Sequence, residues 1–283
     1  MEIKAIHTPI IEEGQDLFAV LCRALSQPLQ EGDIVCVTSK VISLEQGRVV
    51  NLAEVQPSDQ ARQMKKLKYS KDFEAKPELA ELVLQEADHL FVNGYVYLTL
   101  KNNIFISNAG IDLSNIPAGY AVLWPEEPWG WVKQFREKLK KHYGLEALGV
   151  IATDSHVTPL RRGVTGLAMA YSGFEGIQSE IGKPDLFGQP LKMTEKAVAD
   201  DLASIAILMM GEAGEGTPFA WLRSAPVQFT DRDIDPMETF INPRKDLYAG
   251  IYSEQFKAQL DLPMKSLGLT ERRVTVPPGR RRE

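Results

Sequence analysis

Apolar residues in this chain follow two periods, one typical of strands and one typical of helices. Short apolar runs predict strands at 3–6, 34–43, 95–100, 104–107 and 148–152. The second run, IVCVTSKVIS, is rich in β-branched residues and predicts a buried strand. The polar residues 101–103 suit a tight turn between the third and fourth strands.

Four other segments carry apolar residues three or four positions apart, which predicts amphipathic helices. They span 16–25, 77–90, 131–142 and 194–210. Gly144 is expected to end the third helix, and a glycine-rich stretch must end the fourth. Strands and helices mix without a strict βαβ rhythm, so the pattern favours an α+β fold.

Composition narrows the class of protein. The chain has 283 residues, 44% of them hydrophobic and 25% charged, with a net charge of −6. This balance favours neither nucleic acid nor a membrane surface as a partner. Two cysteines without metal-type spacing, Cys22 and Cys36, indicate free thiols in a reducing compartment. The N-terminus does not resemble a signal peptide and the longest apolar run, 205–210, cannot span a bilayer, so we expect a soluble, cytoplasmic protein.

Acidic residues recur where predicted elements end, which suggests metal chemistry. Asp112 lies in NAGIDLSN, Asp154 in ATDSH, and Glu212 and Glu215 in GEAGEGTP. Mg²⁺ and Mn²⁺ take one or two carboxylates, hydroxyls or water, and phosphate oxygens, so carboxylates on separate loops can share one ion. Acidic residues also begin turns and caps for local reasons, and both interpretations stay open.

The remaining polar candidates surround the same segments. In GEAGEGTP the small residues allow backbone N–H groups to approach a phosphate, although a glycine-rich loop after a helix is also an ordinary cap. Arg161 and Arg162 match phosphates or carboxylates, or one of them pairs with Asp154. His156 is a candidate acid or base, or an incidental loop residue. Ser39 and Lys40 end the second strand and could meet a phosphate or begin a loop.

Six segments, in one order and without large gaps, resemble the coenzyme F420-0:L-glutamate ligase family. They are TPIIEEGQDL (8–17), EGDIVCVTSKVIS (31–43), SNAGIDLSN (107–115), GVIATDS with RRG (149–155 and 161–163), GKPDLFG (182–188) and EKAVADDLASIAILMMGEAGEGTP (195–218). The resemblance covers about residues 3–225.

The resemblance implies a ligase that joins L-glutamate to an acceptor carboxylate through an amide bond. The family uses GTP and Mg²⁺ or Mn²⁺, often with a monovalent cation such as K⁺, and an acyl phosphate is the expected intermediate. Phosphoryl transfer of this kind needs charge neutralisation and positioning more than covalent help from the protein. The implied fold has mixed, largely antiparallel sheets, two interleaved domains and an intertwined homodimer.

The resemblance also implies roles for individual residues, and we add further candidates and domain boundaries from the sequence. Asp112, Asp154 and Ser155 match metal-binding positions, and we add Glu212 as a candidate ligand. Arg161 and Arg162 fall near the acceptor and the phosphates, and His156 is the candidate base. The expected nucleotide-binding residues are Thr8, Pro9, Ile10, Ile11, Ser39, Lys40, Asn115, Gly211, Glu212, Ala213, Gly214, Glu215, Gly216 and Thr217. We expect a main domain over 1–100 and 180–270, a smaller one over 101–179, and a flexible basic tail over 271–283.

Three departures from the family pattern keep the acceptor and the activity open. Leu44 stands where a lysine is usual. The run His156-Val157-Thr158 stands where the family typically has a polar residue, Gly and Arg, and two indoles, Trp129 and Trp131, replace small polar residues. The acceptor could be F420-0 or a flat folate- or pterin-like molecule stacked on the indoles. An inactive nucleotide-binding homologue and a metal-dependent nucleotide hydrolase are the alternatives.

Overall fold

The chain forms twelve strands, six α-helices and four short 3-10 turns within the part that a computed structural model describes, residues 1–64, 76–91, 96–242 and 245–250. The strands are β1 Glu2–Ile6, β2 Asp33–Thr38, β3 Val49–Asn51, β4 His89–Phe91, β5 Leu98–Lys101, β6 Ile104–Ser107, β7 Tyr120–Val122, β8 Leu148–Val157, β9 Val164–Ser172, β10 Ile177–Ser179, β11 Glu195–Ala197 and β12 Phe219–Arg223. The helices are α1 Leu17–Ala24, α2 Ser39–Glu45, α3 Asp59–Met64, α4 Pro77–Glu86, α5 Pro128–Tyr143 and α6 Val198–Met210.

The largest sheet of the described residues is mixed and has five strands, in the order β1-β12-β2-β8-β9. Strands β2 and β8 run parallel, whereas β1–β12, β12–β2 and β8–β9 are antiparallel pairs. The other sheets have two or three strands each, and the pairs β4–β5, β5–β6 and β10–β11 are also antiparallel. The structure therefore confirms the predicted α+β class with largely antiparallel sheets.

Helix α6 covers one face of the five-stranded sheet. Its residues Leu202, Ala203 and Ala206 share a buried cluster with Ile34 and Cys36 of β2. The alternate β2 residues are equally buried, and successive side chains in a strand point to opposite faces, so β2 is covered on both sides. This double burial explains why its sequence is apolar without alternation.

Several predicted boundaries are corrected. The segment at 34–43 is not one strand, because the chain turns into helix α2 at Ser39. The predicted helix at 77–90 ends at Glu86 and is followed by strand β4, and the helix predicted over 194–210 begins only at Val198, after strand β11. A short apolar stretch packs equally well as a strand or as a buried helix, which periodicity alone cannot distinguish.

The chain divides into two compact units. The first comprises residues 1–49, 113–118 and 122–240, and the described residues of the second are 50–64, 76–91, 96–112, 119–121, 241–242 and 245–250. These limits differ from the predicted domains, because β8 and β9, within 101–179, complete the sheet of the first unit. Interleaving of the functional domains and the dimer stay predictions, and the predicted basic tail at 271–283 lies outside the described residues. Among the described residues, no helix has the length and apolar character needed to cross a membrane.

Candidate active site in the first unit

One edge of the five-stranded sheet collects the ends of several segments that were predicted to bind a nucleotide. Strands β1, β2 and β8 all point towards this edge, because β12 is antiparallel to both β1 and β2. The chain leaves β1 just before Thr8 and β2 just before Ser39. It enters β12 from Pro218. Ligands of open α/β sheets commonly bind beyond the carboxyl ends of parallel strands, which are here the ends of β2 and β8.

Backbone hydrogen bonds fix the glycine-rich loop, residues 211–217, to this edge. The Thr8 N–H donates to the Gly216 carbonyl over 2.9 Å, and the Thr38 N–H donates to the Pro218 carbonyl over 3.0 Å. Thr8 is buried, Ile11 is buried, and Pro9 and Ile10 between them are exposed. The N-terminal segment and the glycine-rich loop therefore form adjoining parts of one surface.

Asp154 lies beside Ser39, just after the last residue pair that joins the parallel strands β2 and β8. Thr38 of β2 is the register partner of Thr153 in β8, so the next residues of both strands come together. The Ser39 hydroxyl donates to Asp154 Oδ2 over 3.0 Å, and the Ser155 N–H donates to Asp154 Oδ1 over 2.7 Å. A register shift in the β8–β9 pairing lies between Ala152 and Thr153, and such irregularities redirect the side chains that follow.

The glycine-rich loop folds around one of its own carboxylates. Glu215 Oε2 accepts a 2.8 Å hydrogen bond from the Ala213 N–H. Gly211 has a φ of +81° and a ψ of 172°, a backbone conformation that essentially only glycine adopts. The Thr217 hydroxyl donates to the Met210 carbonyl, which ties the loop to the end of α6. Glu212 and Gly214 are exposed on the loop.

Residues 113–118 belong to the first unit and connect helix α2 with the loop. Lys40 Nζ donates to the Ser114 carbonyl over 2.9 Å and to the Ser114 hydroxyl over 3.0 Å. Asn115 Nδ2 donates to the Ala213 carbonyl over 2.7 Å. The structure thus brings together Thr8, Ser39, Lys40, Asn115 and Asp154 with the loop.

The two arginines and His156 are arranged differently. Arg161 and Arg162 are exposed in the turn between β8 and β9, and within the described residues neither guanidinium forms an ion pair. His156 is half-buried, and its Nδ1 has no hydrogen-bond partner among the described residues. His156 lies close enough to Asp200 of α6 to affect its carboxyl group. Burial raises the pKa of the Asp200 carboxyl, whereas the hydrogen bond from the Ala168 N–H and the proximity of His156 lower it.

Nothing in the sequence pattern indicated that His156 lies near Asp200. An acidic residue in the first turn of a helix is expected for its interaction with the helix dipole, so the sequence alone does not mark Asp200 as a functional candidate.

The aromatic and hydrogen-bond partners of the two indoles could not be predicted from the sequence either. Trp131 stacks on Phe135 with ring centroids 4.5 Å apart and donates through Nε1 to Glu45 Oε2, and Trp129 meets the Tyr171 ring edge-on at 5.2 Å. Both indoles thus have packing roles inside the first unit.

The donors available in the first unit suit a hard cation that also binds phosphate. Among the described residues, no three His, Cys, Asp or Glu side chains are grouped so that they could hold a metal ion alone. Asp154 is instead surrounded by hydroxyl and backbone groups. Mg²⁺ usually takes one or two carboxylates and keeps its other positions for water and phosphate oxygens, so the residues present fit such an ion. Asp112 belongs to the second unit and directly precedes residue 113 of the first.

Comparison with known proteins gives one consistent family. A profile described as F420-0:Gamma-glutamyl ligase matches residues 5–224. A coenzyme F420:L-glutamate ligase of Methanopyrus kandleri is 34% identical over 237 residues, which are 83% of this chain and 88% of that protein. Proteins of the same name are 34% identical over 232 residues in Methanocaldococcus jannaschii (81% and 90% of the chains) and 32% identical over 250 residues in Haloarcula marismortui (87% and 95%). The chain belongs to the F420-0:gamma-glutamyl ligase family.

Proposed function

We propose that this protein is a ligase that forms an amide bond between L-glutamate and a carboxylate of a small acceptor, using GTP and a divalent metal ion. The observation that carries the proposal is the meeting of Thr8, Ser39, Asp154 and the glycine-rich loop at one sheet edge. Family membership and the names of the relatives support the reaction class.

The proposed nucleotide site uses the loop and its neighbours. We assign residues 211–217, Thr8 to Ile11, Ser39, Lys40 and Asn115 to the surroundings of GTP. Asp154 and Ser155 would hold Mg²⁺ or Mn²⁺, with Asp112 and Glu212 as further proposed ligands, and K⁺ is a candidate accessory ion. Such an ion neutralises negative charge that develops on the phosphates during transfer. Ser39 holds one Asp154 oxygen through its hydroxyl and so fixes the direction of the carboxylate.

The proposed chemistry solves a leaving-group problem. An acceptor carboxylate is a poor acyl donor because oxide would have to leave. The carboxylate oxygen therefore attacks the γ-phosphorus of GTP, GDP leaves, and an acyl phosphate forms. The glutamate amine then attacks the acyl carbon, phosphate leaves, and the amine gives up a proton. His156 is the proposed base for this proton, and Arg161 and Arg162 are proposed to bind anionic parts of the acceptor and of the phosphates.

The acceptor that we favour is F420-0, because the relatives are named after coenzyme F420. The argument for a folate- or pterin-like acceptor is that Trp129 and Trp131 could stack on a flat ring. Both indoles already have aromatic partners within the chain, which weakens that argument.

The direct test is turnover by the purified protein with GTP, Mn²⁺, L-glutamate and F420-0, followed by mass spectrometry of the acceptor. We expect a mass increase equal to one or more glutamyl residues and release of GDP that depends on both glutamate and acceptor. GDP release without an acceptor would favour the nucleotide hydrolase. Binding of GTP without turnover, with F420-0 and with pterin acceptors, would favour the inactive homologue. Both results would contradict the ligase proposal.

We also propose that the protein works as a homodimer. The segment between β10 and β11 carries three almost fully exposed apolar side chains, Leu186, Phe187 and Met193. Apolar residues concentrated on one exposed segment are typical of protein interfaces. Light scattering on the same preparation measures the molar mass, and a mass of one chain at micromolar concentration would contradict the dimer.

A further inference from the structure

The segment 113–118 raises a question about how the glycine-rich loop keeps its shape. Although its flanking residues belong to the second unit, this segment is part of the first unit. Its described side-chain bonds lead in two directions, to Lys40 on helix α2 and to Ala213 in the loop. The segment is therefore a physical link between the sheet edge and the loop.

Asn115 has a fixed orientation in this link. The Ala213 carbonyl can only accept hydrogen bonds, so the amide nitrogen of Asn115 must face it. The backbone of Asn115 is left-handed, with a φ of 52°, a conformation that asparagine tolerates better than most residues. Both backbone polar groups of Ala213 therefore have a side-chain partner: Asn115 donates to the carbonyl, and Glu215 accepts from the N–H.

Lys40 has a defined task at the other end of the link. Its ammonium group donates to both the carbonyl and the hydroxyl of Ser114, the residue immediately before Asn115. An ammonium group has three N–H donors, and two of them are used on one residue. This arrangement fixes the backbone from which the Asn115 side chain extends.

We propose that Lys40 and Asn115 are positioning residues for the glycine-rich loop, and that Lys40 acts through Ser114 and Asn115 instead of through a direct contact with phosphate. The proposal rests on the nucleotide site proposed above. It also assigns Lys40 a role other than replacing the family lysine that is absent at Leu44. A loop held in one conformation binds a nucleotide more tightly because less ordering remains to be done on binding.

A double-mutant cycle distinguishes the two roles of Lys40. The variants are Lys40→Met, Asn115→Gly and their combination, and equilibrium dialysis measures GTP affinity with Mn²⁺ present. Glycine is chosen at 115 because it accepts the left-handed backbone without strain. We expect about a five-fold loss for each single variant, because Lys40→Met removes the two hydrogen bonds to Ser114 and Asn115→Gly removes the one to Ala213. We expect little further loss in the combination, because both changes break the same link.

Two controls sharpen the measurement. Lys4→Met removes the same charge and another lysine–serine hydrogen bond, to Ser26 over 3.0 Å, but on strand β1, so GTP affinity should be unchanged. Lys40→Arg keeps a cationic donor towards Ser114 and should recover most of the lost affinity. If the double variant instead lost about 25-fold in GTP affinity, the product of the two single losses, Lys40 would act independently of Asn115. That result would overturn the proposal.

Hydrogen exchange of the nucleotide-free protein tests the link without relying on GTP. We expect faster exchange of the amides at 211–217 in Lys40→Met and in Asn115→Gly, with the strand amides of β2 and β8 unchanged. Unchanged exchange in the loop would overturn the positioning role even if affinity fell. If the wild-type protein bound no GTP while the loop still loosened, the link would stand and the proposed nucleotide site would fail.

Discussion

Helix α6 can approach strand β9 closely because residue 166 is a glycine and has no Cβ. A Cβ on Gly166 would lie 2.5 Å from the backbone carbon and oxygen of Ala203 and the backbone nitrogen of Ser204. These are main-chain atoms inside a packed helix, so they cannot move aside as the end of a flexible side chain can. Gly166 lies four positions after Arg162, and the close packing of β9 against α6 explains why the residue there is glycine.

We predict opposite stability effects for one substitution at two glycines. Gly166→Ala should lower the free energy of unfolding by about 3 kcal/mol through overpacking. Gly130→Ala, in helix α5, meets nothing closer than Glu127 Cβ at 3.9 Å and should raise it by about 0.5 kcal/mol, because alanine favours the helix. Urea unfolding measures both, and equal effects at the two positions would contradict this packing of β9 against α6.

At the scale of elements, charge pairs connect the residues after β12 to helix α5 and to the loop that follows β9. Arg136 and Lys140 of α5 both bind Asp231, and Arg232 bridges Glu175 and Glu238. Hydrogen bonds from Arg136 and Lys140 lower the pKa of Asp231 from 3.8 to about 2. Pairing with Arg232 also lowers the pKa of Glu238.

This attachment should make the protein sensitive to acid. A carboxylate with a depressed pKa in the folded state stabilises that state above its unfolded pKa, and the contribution disappears as the pH falls through the folded value. For Asp231 the window runs from about pH 4 to about pH 2. Asp231→Asn should remove part of the fall in unfolding free energy across this window. The effect should be small, because the Asp231 side chain is 67% exposed and solvent screens it. An identical acid profile in the variant would contradict this attachment.

Elements with a clear period and a clear stop could be predicted from the sequence. The hairpin of β5 and β6 and helix α5, which Gly144 ends with a φ of 68°, were predicted correctly in type and in approximate position. The turn from β2 into α2 could not be predicted, because Val41 and Ile42 are buried in the helix as they would be in a strand. The local pattern of apolar residues indicates which positions are buried. It distinguishes a helix from a strand only where the periodic segment is long enough.

At the scale of the whole molecule, the candidate site depends on pairings between distant parts of the chain. Ser39 and Asp154 are 115 positions apart, and Asn115 and Ala213 are 98 apart. The sequence contained these residues, and the family resemblance grouped them. The Ser39–Asp154 hydrogen bond follows from the sheet order, since β2 lies beside β8. Strand order is a non-local property, so spacing along the chain could not reveal that Lys40 binds Ser114 or that Glu215 closes the glycine-rich loop.

The central claim is that Asp154 is part of a site where a divalent ion and a nucleotide bind together. The most direct measurement is a Mn²⁺ titration followed by electron paramagnetic resonance, with and without GTP, on the wild type, Asp154→Asn and Asp201→Asn. The last variant is the control, because Asp201 is an exposed aspartate on α6. We expect tight, GTP-dependent Mn²⁺ binding in the wild type and the control, and at least a ten-fold loss in Asp154→Asn with an unchanged melting temperature. Wild-type Mn²⁺ affinity in folded Asp154→Asn would contradict the claim.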